Sequence, residues 1–228
     1  METYKFDIDG NVAEFLAGNE KNQGLLPTER YASFDYCFNY FQSFREKKEL
    51  ELLTQPEQMQ MSCLHLAFYL ASWGMLRGSS FLLQKSIKFY EPLVKVIALS
   101  DPEIWSIDVD QYSEENIKVL FNYQERICKA LGKNSDVSDI LITKIMLGVF
   151  GNVPAFDTQF TTGFPVKTFC RKALIWVGNF YKFNRATIDK HHIHTIDFET
   201  GQKTHRVYPK AKIVDMIGFI EGSKQKKS

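Results

Sequence analysis

Apolar residues return at intervals of three and four through most of the chain, the spacing of an α-helix with one buried side. Between residues 29 and 53, Tyr31, Phe34, Phe38 and Phe41 lie close to that spacing. Past Pro56, Met61, Leu64, Phe68, Ala71 and Met75 form one stripe, and Cys63, Ala67 and Leu70 cover a second face. A helix apolar nearly all round is a central one. Phe81 to Leu99 is a further apolar segment, which Pro92 must kink or split because it has no backbone N–H to donate. Ser113 opens a helix through Ile117, Leu120, Phe121, Tyr123 and Ile127, with Gly132 as its natural end. Ser135 or Ser138 can cap the next, DILITKIMLGVF, which stops at Gly151. The segment from Val166 to about Ile188 carries Phe169, Leu174, Val177 and Phe180 inward, and a last helix starts at Pro209.

One stretch breaks this period. His194 to Tyr208 alternates and contains Glu199-Thr200-Gly201, the pattern of a β-hairpin. Residues 1–28 are polar and carry glycine, so they read as a loosely structured lead-in, and residues 222–228 as a flexible tail. No repeat or linker divides the rest. The expected architecture is all-α, one compact helical domain with a small hairpin near 194–208.

Composition adds a size limit and a class. The 228 residues suffice for one substantial core, and 19 Phe and 10 Tyr supply large apolar areas to bury. The start of the chain lacks the basic and apolar runs of a signal peptide, and Cys63 to Leu76 is too short and mixed to span a bilayer. Cys37, Cys63, Cys128 and Cys170 form no paired motif, so free thiols in a reducing, cytoplasmic setting are expected. No membrane partner is implied.

Charge changes the picture more. Net charge is +1, yet from Pro165 onward 13 Lys and Arg stand against 5 Asp and Glu. A basic third suits a polyanion such as nucleic acid; a solvated surface is the plain alternative. His191, His192 and His194 are nearly contiguous, without the spacing or acidic partners of a zinc site, so neither metal nor cofactor is expected.

The passage with most chemical content runs from Thr143 to Phe160. A helix ends at Phe150-Gly151, a stretch stiffened by Pro154 follows, and a single aspartate, Asp157, emerges before Thr158 and Gln159. This passage resembles the helix-hairpin-helix superfamily of DNA glycosylases, the group that includes endonuclease III and the adenine and 8-oxoguanine glycosylases. Thr143, Phe150, Gly151, Pro154, Asp157 and Thr158 fall on that family's pattern, with Gln159 where the family has histidine. The likeness covers roughly a tenth of the chain.

The resemblance implies a helical glycosylase acting on double-stranded DNA with one base flipped out. Asp157 would be its catalytic carboxylate, stabilising positive charge on the sugar and orienting or deprotonating water. The DNA backbone would lie near Lys133, Ser135, Thr143 and Lys144, with further contacts from Lys167, Arg171, Lys172, Lys182 and Arg185. Tyr36, Tyr40, His65, Tyr69, Trp73 and Gln159 are the candidates for a base pocket, against plain core packing. Two departures stand out. Lys133 to Asp139 replaces the family's Gly-x-Gly turn, and Ile142 stands where lyase-competent members carry their Schiff-base lysine. Lys144 is one place past Thr143 and, on a helix, about 100° round from it. Base excision by water, without strand nicking, is therefore expected, on a specialised target such as the modified cytosines of bacteriophage DNA in a defence role. The competing reading is a non-enzymatic helical module that binds nucleic acid or protein through the basic third, with Asp157 merely capping a turn.

Overall fold

Several helix starts in this chain are set by short polar side chains that take up the first free amides. In the computed structural model, which describes residues 6–19, 23–132 and 137–225, Asp7 accepts from Gly10 N–H at 3.0 Å and opens α1 (Ile8–Ala17). Ser113 opens α5 (Glu114–Leu131) and Ser138 opens α6 (Asp139–Phe150) in the same way. Between them in sequence lie α2 (Ala32–Lys47), α3 (Pro56–Ser72) and α4 (Glu91–Ala98), followed after α6 by α7 (Thr158–Gly163), α8 (Arg171–Ile188) and α9 (Lys210–Gln225). The last of these takes its cap from far away, because the Asp108 carboxylate accepts from both Lys210 and Ala211 N–H at 2.8 Å.

The described residues thus form nine α-helices and one antiparallel pair, β1 (His194–Ile196) and β2 (Lys203–Val207), the all-α architecture with a small hairpin expected from the pattern. Gly201 turns the hairpin at φ 65°, a conformation that favours glycine. Asp35, wholly buried on α2, fastens the hairpin to the core: it accepts from Ile196 N–H at 2.7 Å and from the Tyr208 hydroxyl at 2.6 Å.

Several boundaries differ from expectation. The lead-in contains a true helix, since Ile8, Val12 and Phe15 are buried and α1 packs on α9. The expected tail is helical through Gln225, with Gly222 buried. The extended passage at Pro154 leads into the short helix α7. Helix α8 begins only at Arg171, because Phe169 N–H is held by the Asp139 carboxylate at 3.1 Å. Pro92 splits its segment, with a 3-10 turn before it and α4 starting around it.

The largest correction concerns α3. Its predicted stripe faces outward: Phe68 is 67% exposed, and Met61 and Leu64 are exposed too. Inward lie Ser62, Cys63, Leu66, Tyr69 and Leu70, towards α2 and α6. Two apolar faces were legible in the helix, and burial chose the one carrying Tyr69.

Helices α7 and α9 approach at backbone distance. A Cβ on Gly222 would lie 1.9 Å from Gln159 O, and one on Gly163 would lie 2.2 Å from Gly218 O. Neither position has room for a side chain, so α7 is seated directly on α9.

Candidate active site around Asp157

Helix α6 ends in a left-handed Gly151, which turns the chain into the extended run 152–156. Two side chains pin that run. Thr143 Oγ1 accepts from Phe156 N–H at 2.9 Å while donating to Asp139 O, and Asp215 Oδ1 accepts from Ala155 N–H at 3.0 Å. The chain then delivers Asp157 at the start of α7, where Oδ1 accepts from Gln159 N–H at 3.0 Å and from Phe160 N–H at 3.1 Å. Asp157 is therefore a helix cap through one oxygen. Its other oxygen, Oδ2, lies 3.3 Å from Lys144 Nζ.

Lys144 itself is 5% exposed, and its ammonium donates to the Trp73 carbonyl at 2.6 Å. Burial pushes its pKa below the usual lysine range, opposed by the nearby carboxylates of Asp157 and Asp215. The expectation that Lys144 turns away from this region is corrected. Residues 141–150 of α6 are buried on every side, so a lysine 100° round from Thr143 still faces the interior.

A second ion pair lies deeper. Lys212 on α9 donates to Asp215 Oδ2 at 2.9 Å, with side chains only 2% and 8% exposed. The Lys212 ammonium sits 4.8–4.9 Å from the ring centroids of Phe15, Phe34 and Trp73, a cation–π cage. Burial raises the Asp215 pKa first of all, Lys212 lowers it, and the charge of Asp157 raises it further. Trp73 touches both pairs, its carbonyl bound to Lys144 and its ring against Lys212.

Of the residues singled out in the sequence, Tyr69, Trp73 and Gln159 gather here. The Tyr69 hydroxyl donates to Lys144 O at 3.0 Å, and Gln159 follows Asp157 by two places. Tyr36, Tyr40 and His65 do not. Tyr36 donates to Pro27 O, while Tyr40 stacks on His65 at 4.0 Å and shares a hydrogen bond with Ser62. Burial lowers the His65 pKa to about 4, so it is a neutral ring near pH 7.

The expected phosphate contacts are also redistributed. Thr143 and Lys144 are buried and engaged, which corrects their placement at a DNA backbone. Lys167, Arg171, Lys172, Lys182 and Arg185 are exposed, although Arg171 pairs with Glu114 and Arg185 with Asp189. Lys133 and Ser135 lie outside the described residues. Sequence reasoning missed Lys212, Asp215 and Phe15. The available signal for the first two was a Lys–Asp pair three apart inside the otherwise apolar run AKIVDMIGFI.

Among the described residues, no helix is long and apolar enough to cross a membrane. His191 pairs with Asp9 and His194 with Thr204 O, and no cluster of three or more metal-ligating side chains forms among the described residues. The chain matches no family model, and no curated protein or solved structure proves similar to it.

Proposed function

We propose that this chain is a DNA glycosylase that hydrolyses the N-glycosidic bond of a damaged or modified base in duplex DNA. The observation that supports it is the division of labour within Asp157. Two backbone amides fix Oδ1, while Oδ2 remains beside a buried ammonium in a side chain that is still 16% exposed. Breaking the bond between C1′ and the base nitrogen leaves positive charge on the sugar, and a fixed carboxylate stabilises that charge. Water then adds its oxygen to C1′ and gives one proton to Asp157, and the base departs with the bonding electron pair. Lys144 orients Oδ2 and satisfies the Trp73 carbonyl.

A second reading of the same site starts from the position of Lys144 Nζ, 3.3 Å from Asp157 Oδ2 in a buried setting that lowers its pKa. A deprotonated lysine is a nucleophile. Attack of Nζ on C1′ would expel the base and leave an imine to the opened sugar, and β-elimination from that imine would nick the strand. The geometry favours Lys144 as the Asp157 partner, because its Nζ already serves two acceptors.

Labelled duplexes carrying uracil, 8-oxoguanine, alkylated bases, 5-hydroxymethylcytosine or its glucosylated form test both readings. Alkali-dependent cleavage by the unmutated protein and none by Asp157→Asn is the expected result. Strand cleavage without alkali, together with a borohydride-trapped adduct lost in Lys144→Met, selects the second reading. Salt-sensitive DNA binding without base release by either protein returns the chain to the class of non-enzymatic binding modules.

A further inference from the structure

Helix α8 turns a face to solvent that packing does not account for. Its 18 residues hold four cations, Arg171, Lys172, Lys182 and Arg185, and no acid. Its core contacts use the opposite face, where Leu174, Val177 and Tyr181 are buried. Lys172, Asn179 and Phe183 follow one another at intervals of seven and four residues, which keeps them on one side of the helix. All three are exposed, as is Lys182 at the edge of the same stripe. Phe183 is 79% exposed, the highest value of any large apolar residue among those described. A lone exposed ring is ordinary on its own. This one stands among cations that lack carboxylates.

The acids around α8 are already taken. Glu114 pairs with Arg171, Asp189 accepts from Arg185 and the Tyr181 hydroxyl, Asp110 pairs with Lys210, and Asp9 bonds to His191. Lys172 and Lys182 have no ion pair among the described residues, and neither has Lys190 just past the helix end. The outward face therefore carries net positive charge beside one flat apolar ring. Lys172 and Lys182 are about 15 Å apart along the axis, with Phe183 at the second of them. An anionic membrane surface is a poorer match, because it takes up an amphipathic helix by its apolar side, and that side of α8 lies in the core. An acidic peptide would satisfy the lysines but offers no flat surface to the ring.

We infer that the outward face of α8 binds a single strand of nucleic acid, with Lys172 and Lys182 on its phosphates and an unpaired base stacked on Phe183. The Asn179 amide, one turn away from Phe183, donates to and accepts from the edge of that base. Stacking of this kind tolerates any sequence, since every base has a flat face. The inference goes beyond the glycosylase reading and does not depend on it, because Asp157 takes no part.

Anisotropy of a labelled oligothymidylate of about 20 nucleotides, titrated with the full chain between about 50 and 200 mM salt, tests this face without requiring catalysis. The unmutated protein should bind it, more weakly at higher salt. Phe183→Ala should weaken binding about 5- to 100-fold, and Phe183→Trp should restore it. Lys172→Gln and Lys182→Gln should each lower the slope of log affinity against log salt by about 0.7. Asp157→Asn should bind like the unmutated protein. The exposed variants should melt at the temperature of the unmutated protein, so lost binding is not lost folding. The same sequence as a blunt duplex should bind without regard to residue 183. No binding of the single strand, equal binding by Phe183→Ala, or a dependence on Phe183 seen only with phosphatidylserine vesicles overturns the inference. Strand binding with these differences, but no base release from any duplex, sinks the glycosylase reading and leaves this one standing. Base release without strand binding does the reverse.

Discussion

Two buried Lys–Asp pairs, joined through Trp73, differ in what they leave free. In the Lys212–Asp215 pair every strong partner is internal: three rings surround the ammonium, and the carboxylate holds Lys212 and the Ala155 amide. In the Lys144–Asp157 pair the contact is longer, 3.3 Å against 2.9 Å, and the Asp157 side chain has twice the exposure of Asp215, 16% against 8%. The first arrangement spends its polar groups on holding α9 to the passage before α7. The second uses one carboxylate oxygen for structure and keeps the other at the edge of the interior. A buried ion pair contributes little net stability but is costly to break from one side, so a pair kept partly open invites a chemical explanation.

The comparison can be broken most forcefully at Lys212. Lys212→Met leaves Asp215 buried without its cation and should cost about 3–5 kcal/mol in urea unfolding, whereas the double change Lys212→Met with Asp215→Leu should recover most of it. An equal loss in both would show that the cage rather than the charge pair carries the stability. Next in size, Asp157→Asn should reduce base release by about 10²- to 10³-fold while its amide oxygen still caps α7. Lys144→Met should lower stability by roughly 1–3 kcal/mol, less than Lys212→Met, because Asp157 keeps two amide hydrogen bonds and some water. Gly222→Ala falls in a similar range, about 1–3 kcal/mol, since its methyl group meets Gln159 O and must push α7, with Asp157, off α9.

A third buried carboxylate sharpens the contrast through pH. Asp35 is held by an amide and a hydroxyl, and burial raises its pKa from 3.8 to about 7. The folded state therefore binds the proton more tightly than the unfolded one. The stability this contributes is full below pH 3.8 and is lost as pH rises through about 7. Urea midpoints between pH 4 and 8 should show that decline in the unmutated protein and a flatter profile in Asp35→Asn.

How far the fold could be read from the sequence follows from the range of the forces involved. Ser113, Gly132, Ser138 and Gly151 marked helix ends correctly because capping acts over a few residues. Helix α1 was missed because Gly10 and the surrounding polar residues mask its three buried side chains, and what stabilises it is α9, some 200 residues away in sequence. The outward face of α3 was misjudged for a related reason: periodicity shows an apolar stripe but not which neighbour covers it. At the site, Asp157 and its cap were legible from local spacing. Lys144 was not, since reasoning from helical phase assumes that one side of the helix meets water, and α6 has no such side. Lys212 and Asp215 were missed because a charged pair three residues apart becomes a buried one only once Phe15, Phe34 and Trp73 are packed around it.

The most direct test of the account compares the two carboxylates under one assay: single-turnover base release by Asp157→Asn and Asp215→Asn, each corrected for its folded fraction, on a duplex from which the unmutated protein releases a base. The account predicts a loss of about 100-fold or more for Asp157→Asn and of no more than about tenfold for Asp215→Asn. Retention of activity within about tenfold by Asp157→Asn, with activity abolished in Asp215→Asn, would contradict it and move the chemistry to the inner pair.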